Sequence, residues 1–183
     1  MAKKIKCLTI QHKSILENLK KGYTHKIDES TFLKYVPENR REAYENMKKM
    51  YGWEFYPIFL GEIGKKTEMS GARLDDCVIL ELSIPSNYIK RQKFYDWSDY
   101  IYFLELPEEF KDVFTCSFEE FEKEVMFPSN LDKSDAIQIT VPCLMPEWLK
   151  SAFDITPRFE KKYIYSGGNN VLEFLRRENY IFF

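Results

Sequence analysis

Apolar and polar residues alternate most regularly between residues 77 and 85, in the segment CVILELSIP. A period of two is typical of a β-strand, whose successive side chains point to opposite faces of a sheet. One face of this predicted strand is apolar and comprises Val78, Leu80, Leu82 and Ile84. The other face is mixed and comprises Cys77, Ile79, Glu81 and Ser83. The pattern therefore predicts a sheet that is packed on one side and forms a cleft or a partly wet surface on the other.

Three other segments are also predicted as strands. Residues 5–11 (IKCLTIQ) alternate, and we expect them to be buried mainly through Leu8 and Ile10. Residues 53–63 (WEFYPIFLGEI) are rich in aromatic and branched side chains, although their proline indicates an edge strand or a bulge. Residues 158–168 (RFEKKYIYSGG) complete this group.

The segment from residue 135 to residue 149 (DAIQITVPCLMPEWL) begins as a strand and ends as a short helix. Alternation places Ile137, Ile139 and Val141 on one face of the strand and the polar residues Gln138 and Thr140 on the other. A proline is favoured at the first position of a helix, so the second proline, at position 146, predicts a helix that contains the tryptophan at position 148.

Helical patterns occur between the predicted strands. Ser14 and Glu17 have the spacing of a capping box, and Gly22 predicts the end of that helix. Residues 37–52 show the clearest helical pattern, with a proline at the start and a glycine at the end. A second capping box predicts a helix over residues 117–127, and further helices are predicted at residues 169–180 and, as an alternative to an irregular pocket wall, at residues 93–106.

These elements favour a single α+β domain spanning residues 1–183. Short helices are mixed with strands without a regular strand–helix alternation, which indicates a mixed, mostly antiparallel sheet with short flanking helices rather than a doubly wound fold. The chain contains neither an internal repeat nor a linker that would divide it.

Composition and charge limit the classes of function. With 27 Lys and Arg against 29 Asp and Glu, the net charge is -2, so a nucleic acid is not expected as a charge-driven partner. Four widely spaced cysteines and two histidines give no support for a metal site. Because no segment has the length and apolarity of a signal peptide or a membrane span, we expect a reduced, cytoplasmic protein without membrane contact.

The aromatic content is high, with 15 Phe, 12 Tyr and 3 Trp. Such side chains fill cores, line pockets or stack on planar ligands. No P-loop, GxGxxG, HExxH or GxSxG motif accompanies them. Individual candidates for chemistry are His12 after the first strand, Arg73 as an anion-binding fork, Glu81 within an apolar strand, and Trp97 as a wall for a planar ring. Each is more often structural when it occurs alone.

The order of the segments resembles a bacterial family of small domains without an assigned function, through LTIQ, VILELSIP, the Asp96–Trp97 pair and AIQITVPCLMPEWL. A more remote likeness is to ADP-ribosyltransferases of the diphtheria-toxin and DarT kinds. Those proteins open with a strand and a short helix that ends near glycine. They close with a strand carrying a key Glu, followed by a proline-rich turn and a short helix, an outline that this chain repeats from Gln138.

The ADP-ribosyltransferase resemblance implies a split sheet whose cleft holds NAD. It implies that the first strand contacts the nucleotide through Thr9, Gln11 and His12, and that Gln138 contacts the ribose next to the nicotinamide. This chain departs from the family at both places: the first strand offers Thr9 and Gln11 and no Arg, with His12 one residue beyond it, and Gln138 stands where the family has Glu. Glu81 is the candidate to supply the missing carboxylate.

Our leading hypothesis is an ADP-ribosyltransferase-like protein that binds NAD or a related nucleotide and, if it is an enzyme, modifies a protein or a nucleic acid. In that hypothesis Gln138 and Glu81 are the catalytic candidates, whereas the nucleotide is bound by Thr9, Gln11, His12, Arg73 and Trp97. The alternative is a non-catalytic binding protein of a phage or bacterial conflict system, which would contact a protein partner through its aromatic surface.

Overall fold

A computed structural model of the protein describes residues 2–65, 76–107 and 117–155. Within them, six strands form one sheet in the order β4-β5-β2-β1-β3-β6. The strands are β1 (Lys4–His12), β2 (Ile58–Glu62), β3 (Cys77–Pro85), β4 (Lys90–Lys93), β5 (Ile137–Val141) and β6 (Leu149–Asp154). Every neighbouring pair is antiparallel. The prediction of an α+β fold with a mostly antiparallel sheet is therefore confirmed.

Five helices accompany the sheet in these residues. They are α1 (Lys13–Lys20), α2 (Glu29–Tyr35), α3 (Arg41–Tyr51), α4 (Phe94–Glu105) and α5 (Phe118–Met126). Short 3-10 turns occur at Glu38–Arg40, Ser86–Tyr88 and Pro146–Trp148. No helix in the described part of the chain is long and apolar enough to cross a bilayer.

The two faces of the sheet have separate cores. On one face, which we call the α1 face, Leu16 and Leu19 of α1 join the apolar side chains of the central strands, such as Leu80, in one buried cluster. On the other, the α3–α5 face, Phe59 of β2 joins Trp97 and other side chains of α3, α4 and α5 in a second cluster. Burial of apolar surface on both sides of the sheet stabilises the fold.

The sheet is weakly connected at its centre. Strands β1 and β3 pair over nine residues, from Lys4 opposite Pro85 to His12 opposite Cys77. In contrast, β1 and β2 pair only at Cys7–Glu62 and Leu8–Gly61. Beyond that point the Thr9 hydroxyl donates to the Phe59 carbonyl oxygen at 2.9 Å. The halves β4-β5-β2 and β1-β3-β6 therefore remain joined mainly at one end.

Several local predictions are confirmed. Strand β3 occupies the predicted range, and Ile139 and Val141 of β5 lie in the core of the α1 face as the alternation indicates. Gly52 ends α3 with a left-handed backbone, at φ 64°. The aromatic segment that could have formed a helix or a pocket wall forms α4.

Three predictions of local structure are wrong. Strand β1 is not buried mainly through Leu8 and Ile10: Cys7 and Thr9 of its other face are fully buried, whereas Ile10 is only half-buried. Helix α1 is capped by His12, whose side chain accepts from the Ser14 backbone N–H, so Ser14 and Glu17 do not form the predicted capping box. An imidazole nitrogen at this position takes the bond that a Ser hydroxyl takes elsewhere. The strand predicted from residue 53 begins only at Ile58, after Pro57, because proline has no N–H to donate to a sheet. The strand predicted at 158–168 and the helix predicted at 169–180 lie outside the described residues.

Candidate functional site

A row of polar side chains crosses the α3–α5 face of the sheet from one edge strand to the other. The pairing register places one residue of each strand in this row: Gln92, Gln138, Gly61, Leu8, Glu81 and Ser151. The four polar members are all buried. Burying polar groups is unfavourable unless they are hydrogen-bonded. We therefore call these six residues the polar row and take it as the candidate site.

At one end of the polar row, two glutamines are bonded to each other. The Gln138 side chain donates from Nε2 to Oε1 of Gln92 at 3.2 Å. Gln92 donates in turn from Nε2 to the sulfur of Met126 on α5, at 3.5 Å. Gln92 is 0% exposed and Gln138 is 6% exposed. Gln138 thus lies beside the helical layer, with its amide held from the side of β4.

At the other end, Glu81 of β3 accepts a hydrogen bond from the Ser151 hydroxyl of β6. Glu81 is 5% exposed. Three strand spacings separate it from Gln138, which amounts to about 14 Å. The two side chains predicted as catalytic therefore share a face and a row, but they would meet different parts of a ligand.

The predicted nucleotide contacts of the first strand are divided between the two faces. Thr9 pairs with Leu80 and Gln11 pairs with Val78, so both belong to the α1 face. There Gln11 donates from Nε2 to the Thr9 hydroxyl at 3.0 Å. Their side chains form a polar pair at the point where β1 and β2 separate.

His12 follows the other alternation of β1 and shares the α3–α5 face with Leu8 of the polar row. It lies four residues along the strand from Leu8, which corresponds to about 13 Å. Its Nδ1 accepts from the Ser14 backbone N–H at 3.2 Å, so the proton of the neutral ring lies on Nε2. His12 is exposed at the end of β1.

Trp97 lies above the α3–α5 face as part of the core. It is 4% exposed and contacts the rings of Tyr44, Phe59 and Tyr100, with centroid distances of 5.6, 5.9 and 5.7 Å. These protein rings occupy the surroundings that the sequence-based hypothesis assigned to a flat ligand. Arg73 lies outside the described residues.

The thiols of Cys7 and Cys143 do not resemble nucleophiles. Burial, reinforced by the carboxylate of Glu62, raises the pKa of Cys7 to about 12. Burial also raises the pKa of Cys143. Since the thiolate is the reactive form, both side chains are held as thiols at neutral pH. In residues 2–65, 76–107 and 117–155, no cluster of His, Cys, Asp and Glu could hold a metal ion.

Two polar members of the row, Gln92 and Ser151, were not found from the sequence. Gln92 lies in the segment KRQK, whose charges indicate an exposed turn or edge, and Ser151 gives no signal of its own. Only the register of the sheet brings them beside Gln138 and Glu81. Gly61, between Gln138 and Leu8, contributes no side chain to the row.

The chemistry available along the polar row is hydrogen bonding by amides, a hydroxyl and a carboxylate. Such groups suit a polar, hydroxyl-bearing ligand. Comparison of the chain with protein-family models, curated proteins and solved structures finds no match.

Proposed function

We propose that this protein is ADP-ribosyltransferase-like and binds NAD or a related nucleotide along the polar row and beside the end of β1, where β1 and β2 are no longer paired. The observation that carries the proposal is a contact between distant segments. The two segments on which the likeness rests, the strand and helix at residues 4–22 and the strand and turn at residues 137–149, are packed together in the fold.

The contact involves both backbone and side chains. His25, just after the first segment, and Leu144, in the second, exchange two backbone hydrogen bonds of 2.9 Å each. Leu16 and Leu19 of α1 share a buried apolar cluster with Leu144 and Trp148. The two segments therefore contact each other across more than a hundred residues, an arrangement that the proposal requires.

The short β1–β2 pairing also supports the proposal, because the resemblance implies a split sheet with the ligand at the split. Thr9 and Gln11 lie beside the place where these strands separate. His12 lies at the end of β1 on the face that carries Gln138. A nucleotide on that face would meet His12 and Gln138, whereas Thr9 and Gln11 lie on the opposite face of the sheet.

The chemistry at Gln138 favours binding over turnover. A carboxylate stabilises a developing oxocarbenium ion by its charge, whereas an amide offers only its dipole and hydrogen bonds. Glu81 is too far along the row to act on the same ligand atom, by the separation of about 14 Å. We therefore propose nucleotide binding, without transfer to a protein or nucleic acid, as the function of the wild-type protein.

The test is a titration of the purified protein with NAD, ADP-ribose and ATP, followed by calorimetry and thermal unfolding. A ligand at about 100 times its Kd should stabilise the fold by about 2.7 kcal/mol. Gln138→Leu should weaken NAD binding, while Thr140→Val, two residues along the same strand, should not. If no nucleotide binds to the wild-type protein, the proposal is wrong.

A second variant tests the chemistry once binding is established. Gln138→Glu would restore the charge that the resembled enzymes use. Release of nicotinamide from NAD by this variant, but not by the wild-type protein, would support a site adapted from a transferase. Unchanged turnover in a folded, NAD-binding variant would count against that origin.

The alternative function, a non-catalytic protein-binding role, is favoured by a different observation. Tyr95 and Tyr102 on α4 and Phe118 at the start of α5 are 49%, 64% and 38% exposed. Large exposed aromatic side chains are common at protein interfaces. Failure of every nucleotide to bind, together with a partner interaction lost in Tyr102→Ser, would favour this role.

A further inference from the structure

The hydrogen bonds at the β4 end of the polar row have a fixed direction. A thioether sulfur can accept a hydrogen bond but cannot donate one. The side-chain atom of Gln92 that approaches the Met126 sulfur at 3.5 Å must therefore be the amide nitrogen Nε2. This contact fixes the orientation of the Gln92 amide, because its carbonyl Oε1 is then directed away from Met126 and toward Gln138.

The orientation of the Gln92 amide also determines the orientation of the Gln138 amide. Since Gln92 presents Oε1, the side chain of Gln138 must present its nitrogen, and it does so at 3.2 Å. The carbonyl Oε1 of Gln138 is then turned away from Gln92. In the described part of the chain this oxygen accepts no hydrogen bond, and Gln138 retains 6% exposure.

We propose that Gln92 is a positioning residue, which together with Met126 holds the amide of Gln138 so that its carbonyl oxygen is presented to the ligand. This inference rests on the proposed nucleotide-binding function and specifies what Gln138 receives. A carbonyl oxygen accepts but cannot donate, so the ligand group at this position is a hydrogen-bond donor, such as a ribose hydroxyl. Phosphate and carboxylate oxygens are excluded from this position, because two acceptors face each other unfavourably.

The binding test compares three variants with the wild-type protein. Gln92→Leu removes the acceptor that orients Gln138, and we expect NAD to bind about tenfold more weakly, the effect of losing one hydrogen bond. Met126→Leu keeps the apolar volume but removes the sulfur, so a smaller loss of about two- to threefold is expected. Thr140→Val is the control and should bind NAD as the wild-type protein does.

A second measurement needs no ligand. The Nε2 protons of Gln138 can be followed by NMR, with the resonances identified by their absence in Gln138→Glu. If the amide lies as proposed, exchange of these protons with solvent is much slower in the free wild-type protein than in the same protein unfolded in urea. In Gln92→Leu, if it folds, this exchange should be faster.

The outcomes separate the two proposals. Fast exchange at Gln138 Nε2 in the folded wild-type protein would show the opposite orientation and overturn the inference, whatever the protein binds. Slow exchange without binding of NAD, ADP-ribose or ATP would refute the proposed function and, with it, the role of Gln92 toward a ligand. If NAD binds equally well to the wild-type protein and to a folded Gln92→Leu or Met126→Leu variant, the positioning role is refuted while the function stands.

Discussion

Two buried threonines of the sheet differ in the hydrogen bonding of their hydroxyl groups. The Thr9 hydroxyl donates to the Phe59 carbonyl oxygen and accepts from the Gln11 amide. The Thr140 hydroxyl has no hydrogen-bond partner in the described residues. Burial raises the pKa of Tyr51, and the nearby Thr140 hydroxyl lowers that pKa by a smaller amount. The two hydroxyl groups nevertheless do not have the geometry of a hydrogen bond.

The same substitution should therefore have opposite effects at the two positions. Thr9→Val leaves two polar groups unpaired and should lower the free energy of unfolding by about 1–2 kcal/mol. Thr140→Val removes an unpaired buried hydroxyl and should leave the protein at least as stable, with a gain of up to about 1 kcal/mol. Urea denaturation measures both, and an equal loss in the two variants would contradict this assignment.

His25 makes stability depend on pH. Burial lowers its pKa from the ordinary value of 6.5, so the folded protein resists protonation that the unfolded chain accepts. The contribution is complete above about pH 6.5 and is lost as the pH falls toward the folded pKa, because the unfolded state then binds more protons.

The free energy of unfolding should accordingly decrease between about pH 7.5 and pH 5.5, and His25→Gln should reduce that decrease. Denaturation curves at both pH values decide the point. A wild-type slope in His25→Gln would assign the dependence to other groups.

At the scale of single elements, helix ends show where local sequence is sufficient. Ser117 accepts from the Glu120 backbone N–H at 3.2 Å, and Glu120 accepts from the Ser117 backbone N–H at 3.1 Å. This capping box was predicted from spacing alone. The same spacing at Ser14 and Glu17 failed, because His12 two residues earlier caps α1 instead. A local motif is decisive only where no neighbour competes for the same N–H.

Two serines on neighbouring helices provide a matched test of capping. Ser117→Ala should destabilise the protein by about 1 kcal/mol, since it removes an N-cap. Ser98 lies inside α4, where its hydroxyl bonds to the Phe94 carbonyl oxygen, already engaged in the helix, at 3.0 Å. Ser98→Ala should be neutral or slightly stabilising, because Ala is the better helix former. Equal losses would mean that the box at α5 is not formed in solution.

At the scale of the whole molecule, packing joins segments that are far apart in sequence. Leu144 is fully buried and lies in the cluster that includes Leu16 and Leu19 of α1. The contact matters for the proposed function, since it brings together the two segments that carry the likeness to ADP-ribosyltransferases.

Truncating this leucine should therefore be costly. Leu144→Ala should lower the free energy of unfolding by about 3 kcal/mol through lost burial and the cavity left behind. Leu33 on α2 is 45% exposed, and Leu33→Ala should change stability by less than about 0.5 kcal/mol. A loss at Leu144 as small as that at Leu33 would contradict the packing of α1 against the segment after β5.

The sequence by itself determined the strands at β1, β3 and β5 and the faces of β3 and β5, because alternation fixes which side chains share a face. It also determined the caps at Ser117 and Gly52, where bonding is local. It did not determine β4 or β6, whose residues are too few or too mixed to show a period.

Only the tertiary structure decided how the candidate residues are grouped. Strand pairing placed Gln92 beside Gln138 and Ser151 beside Glu81, and helix packing placed Trp97 among protein rings. Alternation says that two residues of one strand share a face, but it carries no information on which residue of another strand lies opposite. Register and layer order depend on contacts between distant segments, and those contacts exist only in the folded chain.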